Sequence, residues 1–317
     1  MTEDINVEHL LDVFTSIDAD AGDALDACAY FIEHLERHKP WQTVLRSKIE
    51  SLSDDHPSKT NCLIKLSWLF QSVGNFAEQK RILSQVLTFE RKQGSGVRIA
   101  EALQRLSRAN RMLGLCEEGI QQAREALEIF ERLGVTKKQA ESLGVLGWLL
   151  LKDKQLDAAE EAATRAIHLL PEKGQEFEVC QCQRLLGNTY RSKGKREKTI
   201  HHSKVAIEIA SRFNWHIQLF CAHYLLAELF RDEGAFDDSN AHIEQAKLHA
   251  VGHEYHLGRA AELHAEIWYR QGKFKEARSE VLHAKEIYEK PGLAMGVQQS
   301  RDLLQKIDRA EKPVSLE

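Results

Sequence analysis

Apolar residues recur along most of this chain at helical spacing, on paired faces separated by a glycine. The pattern is clearest in residues 183–210, QRLLGNTYRSKGKREKTIHHSKVAIEIA. Leu186, Gly187 and Tyr190 mark one face before Gly194, and Thr199, Ser203 and Ala206 mark another after it. That order predicts a helix, a tight turn and a second helix. The turn glycine slides along the chain in steps of 40 residues, through 74, 114, 154, 194 and 234, and closes on 272 after 38; position 154 is a lysine. Seven residues before each turn stands a small residue, Ser67, Ser107, Gly147, Gly187, Ala227 or Ala265, where two helices can approach. Four residues before each turn stands Phe70, Asn110, Leu150, Tyr190, Phe230 or Trp268, and twelve after it Val86 or an alanine. Small against large at matched positions is how packed helices interdigitate. First helices are therefore predicted to end near Val73, Leu113, Asp153, Lys193, Glu233 and Gln271. The glycines suit a left-handed residue after a helix, so Lys154 is expected to carry a cost of about 1 kcal/mol in the same role.

These residues resemble the tetratricopeptide repeat (TPR), best in VLGWLLLKDKQLDAAEEAATRAIHLLPE at 145–172, with its Leu-Gly, its alanine ladder at Ala159, Ala163 and Ala166, and Pro171. The resemblance covers residues 56–290 and implies an all-α superhelix, a TPR solenoid of six hairpins. It departs from the family in period, which is about 34 residues in TPR arrays. The extra residues fall between hairpins, and longer second helices explain them. The long period is similar to the TPR regions of fungal STAND and NLR-like signalling proteins, and of kinesin-light-chain and LGN-type adaptors.

Residues 1–55 precede the array: Val7, Leu10, Leu11, Phe14 and Ile17 predict an amphipathic helix, and residues 21–53 a degenerate capping hairpin whose second helix starts at Pro40. DADAGD at 18–23 has the look of a calcium loop, but its glycine is one place early and no glutamate closes it at Ala29, so capping is the better reading. SDDHPSK at 53–59 marks the boundary. After Pro291, residues 291–317 supply a last helix with Met295, Leu303, Leu304 and Ile307 to cover the final hairpin, and a tail.

Composition narrows the function. The chain has 317 residues, only five prolines, 29% charged and 43% hydrophobic residues and a net charge of −5. A stacked array can grow to this length where one core would split. The start is acidic where a secretory leader would be basic, and no apolar run approaches a membrane span, so the expected address is cytoplasmic. The six cysteines have no framework spacing and read as reduced thiols. No phosphate loop is present, and no serine or cysteine stands at recognisable spacing from a base. His249, His253 and His256 could converge on a metal, with His201 and His202 as a further surface pair, but lone surface histidines are the commoner case. The expectation is a non-enzyme without cofactor or metal.

What remains is a groove. In a TPR array the first helices line it, and their inward positions are counted as three, six, ten and thirteen residues before the turn. Candidate groove residues are Trp68; Arg105, Arg108 and Arg111; Trp148; Arg184, Asn188 and Arg191; Tyr224 and Arg231. Asn188 and its arginines resemble the asparagine and basic ladders with which TPR adaptors hold an extended peptide, which implies an acidic protein or peptide partner. Farther along, Glu228, Asp232, Glu262 and Glu266 mix with Arg231, Arg259 and Arg270, giving a groove basic first and mixed later. The competing readings are arginines paired with acids of the next repeat, a self-associating surface, or the sensor module of a STAND-type NTPase. Nucleic acid is disfavoured by the net acidity, no membrane partner is expected, and a homo-oligomer is compatible.

Overall fold

The structure is a computed structural model that describes residues 38–53, 57–72, 75–170, 174–250, 252–289 and 294–311. The predicted helix at 5–17, the calcium-like loop, the Gly74 turn and the 312–317 tail lie outside them. Fourteen helices follow one another among the described residues: α1 (His38–Ser51), α2 (Pro57–Ser72), α3 (Phe76–Gln93), α4 (Gly96–Leu113), α5 (Cys116–Arg132), α6 (Thr136–Lys152), α7 (Leu156–Leu169), α8 (Glu176–Ser192), α9 (Arg196–Arg212), α10 (His216–Asp232), α11 (Phe236–Leu248), α12 (Glu254–Arg270), α13 (Phe274–Glu289) and α14 (Ala294–Glu311). First helices end within one residue of the predicted positions. They divide into two compact units, one up to Ile129 and one from Phe130.

The period follows from the helix lengths. Full hairpins such as α8–α9 pair two helices of 17 residues through short turns. The shorter α7, with 14 residues, and α11, with 13, are followed by longer connections. Each described turn inside a hairpin closes with the same bond. The N–H after the left-handed residue donates to the carbonyl five residues back, as Leu115 to Asn110, Lys195 to Tyr190 and Ala235 to Phe230, each at 2.9 Å. The left-handed residue is glycine at 114, 194, 234 and 272, and Lys154 takes the same conformation with φ 65°. Lys154→Gly is therefore expected to raise stability by about 1 kcal/mol, read as a higher midpoint in denaturant; an unchanged or lower midpoint would show that the lysine is not strained there.

A second left-handed series, twenty residues out of phase, closes the turns between hairpins: Gly94, Gly134, Gly174 and Gly252, with Asn214 at φ 54°. Asparagine tolerates this region better than other side-chain-bearing residues.

The small residues do what their positions predict. A Cβ on Gly147 would stand 2.5 Å from Leu185 Cδ2, and one on Gly187 would stand 2.9 Å from Leu225 Cδ2, so each glycine admits a leucine of the next hairpin. In the first unit Leu45 of α1 is fully buried among Cys62, Leu66 and Phe70. In the second unit Leu303 and Ile307 of α14 cover Ala265, Ala277 and Val281, the closing role expected of the last segment.

Candidate functional site

Within the second unit the first helices touch in succession, α6 to α8, α8 to α10, α10 to α12, and α12 to α14, whereas α7, α9, α11 and α13 make no comparable contact with one another. The first-helix side is thus the closer-spaced inner wall, and side chains from different hairpins meet there.

Arg184, Asn188 and Arg191 lie along one face of α8, spaced four and three residues apart. Each has a different environment. Arg191 donates to Glu228 at 3.2 Å and to Asp232 at 2.7 Å, both on α10. Arg231, whose side chain is only 11% exposed, forms ion pairs with Asp232 and with Glu266 of α12. Arg270 reaches Asp232 at 3.5 Å. Burial would raise the Asp232 carboxyl, but bonds from Arg191 and Arg231 outweigh it and hold the group below its usual range. Here the arginines are paired with acids of their own and neighbouring hairpins, so the wall carries its own counter-charges.

Arg184 differs. One of its terminal nitrogens donates to Gln218 of α10, a neutral partner, and its guanidinium lies 5.8 Å from the centre of the Trp148 ring on α6. No described carboxylate forms an ion pair with it; its buried Nε, like that of Arg191, has no hydrogen-bond partner. Trp148 is half-buried, as an aromatic shared between packing and an open wall would be. Asn188 turns its amide to the Arg184 carbonyl at 2.9 Å.

Beyond Arg184 the wall becomes aromatic. Arg259 of α12 stands 4.1 Å from the centre of the Tyr224 ring, which stacks on Phe220 at 5.5 Å. Burial pushes the Tyr224 phenol up to about 12, with Arg259 opposing the shift. His256 meets Phe220 edge-on at 4.6 Å. Burial, then the charges of Arg259, His253 and Arg184, push its imidazole down to about 3. An imidazole depressed in the folded state stabilises the fold fully above the ordinary histidine range, and that stability is lost as pH falls from about 6.5 toward 3. His256→Gln is expected to flatten the fall in unfolding free energy over this interval by up to about 1.4 kcal/mol per pH unit, measured by denaturant titration at several pH values. Parallel curves for the two proteins would contradict the buried placement.

In the first unit Arg105 of α4 lies over the half-buried Trp68 of α2 at 5.3 Å, the same arginine-on-tryptophan contact as Arg184 on Trp148. Arg108 is exposed and Arg111 half-buried on that helix. The ten candidate positions therefore form two groups, Trp68, Arg105, Arg108 and Arg111 in one unit, and Trp148, Arg184, Asn188, Arg191, Tyr224 and Arg231 in the other. Gln218 lies outside the positions counted from the turn, whereas Arg259, already among the mixed charges of the later groove, falls on the thirteenth position before the turn of α12.

The candidate histidines make their ring contacts in pairs, His201 with His202, His216 with His249 and His253 with His256. His249 faces His216, His256 faces Phe220, and His202 binds Gln183 at 2.6 Å while stacking on Tyr190. No group of three metal-ligating side chains occurs among the described residues. Burial pushes the Cys180 thiol up to about 11 and Cys182 to about 12, opposite to what a nucleophile needs. No helix among the described residues is long and apolar enough to cross a membrane.

No family model matches the chain, and no curated protein sequence matches it. Solved structures do. A Rap protein complexed with Competence and Sporulation Factor superposes with a TM-score of 0.63 at 12% identity, over 85% of this chain and 79% of that one. Aspartyl phosphate phosphatase F from Bacillus subtilis gives 0.56 at 12%, over 81% and 72%. A STAND protein with a tetratricopeptide repeat sensor from Pyrococcus horikoshii gives 0.57 at 13%, over 86% of this chain but 41% of that one. Together with the hairpin geometry, these define the class: the fold is an α-α solenoid of TPR-like helical repeats.

Proposed function

We propose that this protein is a non-catalytic interaction module that binds an extended acidic segment of a partner protein along the first-helix wall of its second unit. The observation that carries this reading is Arg184: a guanidinium on the inner wall with an aromatic neighbour, a neutral amide partner and no described counter-ion. A guanidinium without a carboxylate partner can take one from a ligand through its terminal nitrogens, a charge-assisted contact worth about 1.5–3 kcal/mol. The Arg191–Glu228–Asp232–Arg231–Glu266 network beside it is already neutralised and acts as a rigid polar border, so it favours a segment with its acidic residue at Arg184 and uncharged residues beyond. The likeness to a Rap protein solved with a bound factor supports a binding role for this type of repeat. Selection of a random peptide display library on the intact protein tests the reading. Enrichment of sequences with one or two acids next to apolar residues is expected, and enrichment of basic sequences would refute it.

A further inference from the structure

Four histidines form a row on one hairpin, outside the wall just described. His216 is the first residue of α10 and His249 the cap of α11, so the antiparallel hairpin brings them to the same end. Their rings lie 5.5 Å apart, the His249 ring lies 6.1 Å from His223, and His223 lies 5.3 Å from His242, which stacks on Phe230 at 5.5 Å. The two facing pairs differ. His223 and His242 bring their Nδ1 atoms to 3.0 Å in a half-buried setting sealed by Phe230, the length of a neutral N–H···N hydrogen bond. His216 and His249 stand farther apart, with Nδ1 atoms at 3.3 Å, and His216 is exposed.

That longer separation has its own chemistry. Two imidazole nitrogens bound at about 2.0–2.1 Å to one tetrahedral ion lie about 3.3 Å apart, because the angle between them at the metal is near 109°. The outer pair already has this span. The exposed edge at His216 leaves a path for an ion and room for its other ligands. His249 ends α11, where the helix dipole favours positive charge. We propose that His216 and His249 are the protein ligands of a surface site for a divalent transition-metal ion, with water or a partner's donor completing the coordination. Imidazole suits zinc, and zinc takes the tetrahedral geometry that this span fits, whereas copper(II) prefers a tetragonal arrangement with a shorter span between neighbouring nitrogens. The inner pair acts as a hydrogen-bonded strut and takes no metal.

Calorimetric titration of the untagged full chain with zinc(II) alone at neutral pH, with the visible spectrum of the cobalt(II)-substituted protein, tests this. One ion per chain and the intense absorption of four-coordinate cobalt(II) are expected. His216→Ala, exposed and therefore tolerable to the fold, is expected to weaken that site at least about tenfold, as loss of even an outer-sphere partner does at metal sites. His249→Ala is expected to do the same, whereas the double variant His223→Gln with His242→Gln keeps the site. Absence of one-to-one binding, binding unchanged by His216→Ala, or loss only when the inner pair is replaced would each overturn the assignment.

Discussion

Replacing Tyr288 with alanine is expected to remove about 3–5 kcal/mol of stability, the range for deleting a buried aromatic side chain, and to free the last helix before the rest of the second unit unfolds. Tyr288 is fully buried on α13 and is enclosed by two glycines: a Cβ on Gly258 of α12 would stand 2.4 Å from the ring, and one on Gly296 of α14 would stand 2.6 Å from it. Its hydroxyl donates to Glu262 at 3.1 Å, and Ser300 of α14 donates to the same carboxylate at 2.8 Å. Three helices are thus joined through one ring and one carboxylate. Because repeat units contact only their neighbours, the loss should stay local. Hydrogen exchange is expected to show α14 amides unprotected in Tyr288→Ala while those of α8 and α9 keep their protection. Equal loss across all these helices would mean that the second unit behaves as one cooperative body. Gly258→Ala tests the close approach from the other side, at a cost of about 1–3 kcal/mol for overpacking.

Much of this fold is legible in the sequence because the constraint is repeated. One glycine in a left-handed turn is weak information, but Gly114, Gly194, Gly234 and Gly272 at matched offsets, with Gly147 and Gly187 each receiving a leucine of the next hairpin, leave little freedom. Lys154 was identifiable as the exception for the same reason. The second series, Gly94, Gly134, Gly174 and Gly252, was equally present in the sequence, and Asn214 in one member obscured it.

The site was less legible. Counting from the turn places Arg184, Arg191 and Arg231 on one wall, but it cannot distinguish an arginine with a counter-ion from one without. That difference depends on which residue of the next hairpin lies opposite. Arg191 pairs with residues 37 and 41 positions later, and Arg231 with one 35 positions later. These separations bracket the repeat period, so a search for opposite charges at such intervals would have found the ladder. The histidine row was hidden by a different rule. His253 and His256 meet edge-on at 5.8 Å, but the partner of His249 lies across the hairpin at His216.

Replacing Arg184 should have the largest effect on binding. A contact between a partly buried guanidinium and a ligand carboxylate contributes about 1.5–3 kcal/mol as a charged hydrogen bond, equal to roughly ten- to a hundredfold in affinity. Arg191 is expected to behave differently. Its carboxylate partners are on α10, so Arg191→Gln should cost stability by leaving Glu228 and Asp232 under-neutralised, with a smaller effect on affinity. The most direct measurement is fluorescence anisotropy of a labelled acidic peptide from the display selection, titrated with the parent protein, with Arg184→Gln and with Lys204→Gln on the opposite side of the hairpin. The account predicts that Arg184→Gln weakens binding about tenfold or more and reduces its salt dependence, while Lys204→Gln binds as the parent does. Equal affinity and equal salt response in all three proteins would contradict it.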